Sequence, residues 1–107
     1  MPDGRAWVHP EAIAEARAAR ESYLARNPEA AEVFMAELDR AIEHIEEAPR
    51  RWPPYLAGTR RYFLRRFPFF VVFRESRDGA QIVAVAHAKT PTRILDWAVV
   101  YAERSGR

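Results

Sequence analysis

Phe69-Phe70-Val71-Val72-Phe73-Arg74-Glu75-Ser76-Arg77-Asp78-Gly79-Ala80-Gln81-Ile82-Val83-Ala84-Val85-Ala86-His87 decides the fold. Two runs rich in β-branched and aromatic residues, the types that suit a pleated surface, flank a polar break. The break holds Asp78-Gly79, a favoured hairpin connection, so Phe69–Glu75 and Gln81–His87 read as antiparallel strands. Along a strand, side chains alternate between faces. Phe69, Val71 and Phe73 therefore oppose Phe70 and Val72, and Ile82, Ala84 and Ala86 oppose Val83 and Val85. Both faces are apolar, so both need cover.

Upstream, Thr59–Arg66 reads as a further strand through Tyr62, Phe63 and Leu64, and Trp52-Pro53-Pro54-Tyr55 is a stiff, extended connection into it. Before that the period becomes helical. Ala31, Phe34, Leu38, Ala41, Ile42 and Ile45 form one stripe, bordered by Met35. Asn27-Pro28-Glu29 starts that helix with a capping side chain, a proline in the first turn and an acid at the positive end of the dipole. Pro49 ends it. An earlier helix opens at Pro10-Glu11, with Ile13, Ala16, Ala19, Tyr23 and Leu24 on its apolar side. Arg5–His9, with Trp7 and Val8, reads as a short edge strand. Thr90-Pro91 opens a last short helix reaching Arg104. The expectation is one α+β domain over residues 1–107: an N-terminal helical hairpin packed on a small antiparallel sheet, with a short C-terminal helix. The hairpin covers one sheet face; the tail helix or a partner chain covers the other.

At 107 residues, 49% hydrophobic and 30% charged, the chain suits a single soluble core rather than a disordered tail. No apolar run is long enough to span a bilayer, and Met1-Pro2-Asp3-Gly4-Arg5 lacks a signal-peptide layout, so a cytoplasmic protein without membrane contact is expected. There is no cysteine. No histidine pair has metal-ligand spacing and no glycine-rich phosphate loop is visible, so neither metal nor cofactor is expected. The net charge of +2 conceals a split: residues 1–50 hold 6 basic against 11 acidic side chains, and residues 51–107 hold 11 against 4. A basic half fits an anionic partner, and it equally fits attraction between the two halves.

Thr59-Arg60-Arg61-Tyr62-Phe63-Leu64-Arg65-Arg66-Phe67-Pro68-Phe69-Phe70-Val71-Val72-Phe73 resembles the second and third strands of RelE/ParE toxins, the toxin halves of type II toxin–antitoxin pairs. Val83-Ala84-Val85-Ala86-His87 resembles the strand that follows. Glu47-Ala48-Pro49 with Trp52-Pro53, and His9-Pro10-Glu11-Ala12, resemble the family's exit from the second helix and its start of the first. The likeness covers about residues 5–89. It implies a helical hairpin on a small antiparallel sheet, an antitoxin that wraps the toxin, and one of two targets. ParE-like members inhibit DNA gyrase, and RelE-like members cleave messenger RNA in the ribosome. The chain departs from the family after His87. Relatives carry an arginine-rich run there, whereas this chain has Ala88-Lys89-Thr90-Pro91-Thr92-Arg93-Ile94-Leu95-Asp96-Trp97. The Phe67-Pro68-Phe69 junction and the weak basic run favour a ParE-like, growth-inhibiting toxin of the plasmid-stabilisation kind. A RelE-like endoribonuclease is the alternative, and a non-toxic nucleic-acid-binding or scaffold module is the alternative of another class.

Metal-independent RNA cleavage needs a base, cations on the phosphate and an acid for the leaving oxygen. Arg61, Arg65 and His87 are the catalytic candidates, with Arg61 and Arg65 expected on one strand face. Arg60, Arg66, Lys89, Arg93 and Trp97 are candidates for binding antitoxin or target. A structural role remains the plainer reading of His87, and His44 reads as a solvated helix residue.

Overall fold

The computed structural model describes residues 6–89. The expected helix at 90–104, with Arg93 and Trp97, lies outside them. Strand β1 (Trp7–Val8) leads into helices α1 (Pro10–Arg26) and α2 (Pro28–Glu47), followed by strands β2 (Arg60–Phe63), β3 (Phe69–Ser76) and β4 (Gly79–His87). The sheet order is β1-β4-β3-β2. The β2–β3–β4 meander is antiparallel, but β1 pairs in parallel with β4, so the sheet is mixed. The helical hairpin is what allows this, since it carries the chain across one face between the two parallel strands.

Both helix starts follow their sequence signals. His9 caps α1, its Nδ1 accepting the Glu11 N–H at 3.0 Å, and Asn27 caps α2, its Oδ1 accepting the Glu29 N–H at 2.9 Å. In α2 the expected stripe is buried at Ala31, Phe34, Leu38, Ala41 and Ile45, while Met35 and Ile42 are half-buried. In α1 the stripe is rotated from the expected one. Ala12 and Ala19 are buried, Ala16 and Tyr23 pack beside them, and Ile13 and Leu24 point outward at 43% and 40% exposure. Residues 12, 16, 19 and 23 repeat at helical spacing, and their alanines let α1 approach β4 closely. Large buried side chains contribute about 1.5–3 kcal/mol each, so α2 rather than α1 supplies most of the helical layer's apolar stabilisation. Burial pushes the Tyr23 phenol above 10.0, and neighbouring Arg26 partly offsets this.

The sheet departs from simple alternation at one place. The β3–β4 register shifts between Val72, paired with Ala84, and Phe73, paired with Ile82, which leaves Val83 as an extra residue. Past this bulge the face parity reverses. Ile82 and Val85 join the helix-side core with Val71 and Phe73, while Val83, Ala84 and Ala86 join Phe70 and Val72 on the outer face. Those five residues are each at most 8% exposed, and Tyr55 and Leu56 pack against them. Glu15 of α1 accepts the Val85 N–H at 2.8 Å, tying the helical layer to the bulged strand.

Candidate functional site

Strand β2 ends at Phe63, short of the expected Arg66, and Leu64 is buried behind it. This truncation separates Arg61 from Arg65. Arg61 stays on the strand and faces outward, its guanidinium stacked 4.4 Å from the Tyr55 ring, 4.9 Å from Phe63 and 5.3 Å from Phe70. Phe63 beside it is 50% exposed. Arg60, of opposite parity, donates from Nη1 to the Trp52 carbonyl at 2.7 Å and holds the proline-rich connection against the sheet. The same connection occupies part of the β2 edge, because Arg61 N–H donates to the Pro53 carbonyl at 3.1 Å.

Arg65 and Arg66 lie in the loop after β2, on the helix side. Glu37 of α2 anchors that loop. Its Oε2 accepts the backbone N–H groups of Arg65 and of Arg66, the latter at 3.1 Å, and its Oε1 lies 3.5 Å from Arg66 Nε, an ion-pair distance too long for a hydrogen bond. Between α2 and β2 is a groove of about 600 Å³, lined by Ala36, Glu37, Arg40, His44, Tyr62, Arg65 and Arg66. His44 Nδ1 lies 2.9 Å from the Tyr62 hydroxyl, and the Tyr62 ring meets Trp52 edge-on at 4.6 Å.

His87, at the end of β4, rests edge-on against Phe69 at 5.0 Å, and its Nδ1 accepts the Lys89 N–H at 3.1 Å. Lys89 is exposed in the turn beyond. Arg61, Arg65 and His87 thus occupy separate surroundings: the outer face, the helix-side groove and the end of β4. The residues that do gather are Arg40, His44, Tyr62, Arg65 and Arg66. Of these, His44 is half-buried against Tyr62 rather than solvated, contrary to the expectation from sequence. A usable signal was present, since Glu37, Arg40 and His44 recur at spacings of three and four and so share one polar helix stripe.

The family model described as "ParE toxin of type II toxin-antitoxin system, parDE" matches residues 8–91. The chain belongs to this family. The match runs from β1 past the end of β4, so all three surroundings just described lie inside the ParE toxin domain. Among solved structures, the ParE-family chain is similar to one described as the chromosomal ParDE TA system from P. aeruginosa. The identity is 19%, the TM-score is 0.69, and the likeness covers 81% of this chain and 100% of that one. At that identity the likeness shows the fold. No curated protein sequence matches significantly. No helix among the described residues of the ParE-family chain is long and apolar enough to cross a membrane.

Proposed function

We propose that this ParE-family toxin arrests growth in the cytoplasm by inhibiting DNA gyrase, and that a cognate antitoxin neutralises it. The observation that carries this reading is the family match over residues 8–91. The dispersal of Arg61, Arg65 and His87 supports it further. A metal-independent nuclease must bring its base, acid and phosphate clamp within hydrogen-bond reach of one substrate, and these three sit in different surroundings. Inducible expression with and without the small open reading frame beside the gene tests the reading. The expected outcome is growth arrest relieved by the neighbour, and purified toxin that blocks supercoiling while leaving messenger RNA intact. Codon-phased cleavage in a translating extract would transfer the chain to the ribosome-dependent nucleases.

A further inference from the structure

We propose that the groove between α2 and β2 binds a phosphate monoester, such as the terminal phosphate of a mononucleotide. Three guanidinium groups, from Arg40, Arg65 and Arg66, line it against one carboxylate, Glu37. That carboxylate is already engaged by two backbone N–H groups and by the Arg66 side chain. Among the described residues, neither Arg40 nor Arg65 has an acidic partner. The groove therefore holds an excess of about two positive charges. A phosphate monoester carries about −1.5 to −2 at neutral pH, which matches that excess better than a phosphodiester or a single carboxylate does. Planar guanidinium groups also pair two-pronged with phosphate oxygens.

The site is built before any ligand arrives. Glu37 is only 11% exposed at its side chain, and its grip on the backbone at residues 65 and 66 fixes where those two arginines leave the loop. The His44–Tyr62 pair adds a donor. If the phenol donates to Nδ1, the neutral imidazole keeps its N–H on the other nitrogen; if Nδ1 donates, the phenol keeps its O–H. Either arrangement leaves one donor for a ligand oxygen.

Size and surroundings favour a small ligand over a polyanion. About 600 Å³ falls in the range of small-molecule sites. The exposed flank of α2 carries Glu32, Asp39, Glu43 and Glu47, which would repel an extended nucleic-acid strand.

Calorimetric titration of the full chain with adenosine monophosphate, inorganic phosphate, adenosine and a hexaglutamate peptide tests the site. Saturable binding of the monophosphate and of phosphate is expected, with no binding of adenosine. Arg40→Ala and Arg65→Ala should each weaken binding about tenfold or more, the usual cost of a lost charge-assisted contact. Arg77→Ala, a lost cation in the distant hairpin turn, should not. Arg40 and Arg65 are exposed, and circular dichroism of the two variants checks that they fold. Equal binding of adenosine, or an equal loss with Arg77→Ala, overturns the proposal. Tighter binding of hexaglutamate than of the monophosphate also overturns it and assigns the groove to an acidic peptide. None of these outcomes depends on whether the chain arrests growth.

Discussion

At the scale of single residues, Ala57 is the clearest case of conformation set against side chain. It adopts φ 54° and ψ 41°, and Gly58 follows at φ 77°. A Cβ in this left-handed region costs about 1–2 kcal/mol, whereas glycine bears no such cost. The two residues turn the chain so that Tyr55 and Leu56 lie on the outer sheet face while Thr59 returns to the sheet, donating its hydroxyl to the Leu56 carbonyl at 2.5 Å. Ala57→Gly should therefore stabilise the fold by about 0.5–1 kcal/mol, after the larger backbone entropy of glycine in the unfolded chain is subtracted. Chemical denaturation checks this, and a loss of stability would show that the turn is relaxed with alanine in place. Glu37 illustrates the opposite limit of legibility. Nothing in its sequence position indicates that it grips a loop 28 residues away, because that role exists only once α2 and the end of β2 are neighbours.

At the scale of elements, what the sequence discloses depends on how strongly one physical pattern dominates. Helix α2 is amphipathic with large apolar residues on one side, and its stripe and both ends were legible. Leu38, 3% exposed at the centre of that stripe, packs in the helix-side core, so Leu38→Ala should cost about 2–5 kcal/mol in thermal or denaturant unfolding. A change near zero would mean that the helix does not face the sheet through this side chain. Helix α1 was harder, because alanine is apolar on every side and the two larger residues, Ile13 and Leu24, drew the expected stripe away from the true one. The β4 faces depart from the expected alternation for another reason. Strict alternation assumes continuous pairing, and the bulge at Val83 adds a residue that no composition signal marks. Strand β2 stops early because, after Leu64 N–H donates to the Phe69 carbonyl at 3.0 Å, the chain must turn through Arg65 and Arg66 to enter β3 at Phe69. The arginines expected to share one face were thereby divided between two, and the gathered site passed to His44 and Tyr62.

At the scale of the whole molecule, the charge split and the residual apolar surface together define what a neutralising partner must offer. The two halves do attract each other locally, through Arg66–Glu37 at 3.5 Å and Arg50–Glu75 at 3.0 Å. Both pairs involve exposed arginines, and pairs of that kind contribute little to stability. Among the described residues of the basic half, Arg61 and Arg65 have no ion pair and remain for a partner. Phe70, Val72, Val83, Ala84 and Ala86 are buried on the outer sheet face, so among the described residues the exposed apolar contact near those charges is Phe63, at the β2 edge with the stacked Arg61 guanidinium beside it. An antitoxin suited to this surface would carry acidic and apolar residues together, be disordered alone and fold on binding. Its charges would speed encounter, whereas its apolar side chains would set how long the complex lasts. Stopped-flow association of toxin with antitoxin should accordingly slow about tenfold or more between low and high salt, with dissociation nearly unchanged. Phe63→Ala should act in the opposite sense, leaving association intact and speeding dissociation by an amount worth about 1–2 kcal/mol. Association indifferent to salt, or dissociation indifferent to Phe63, would place the antitoxin on a different surface of the toxin.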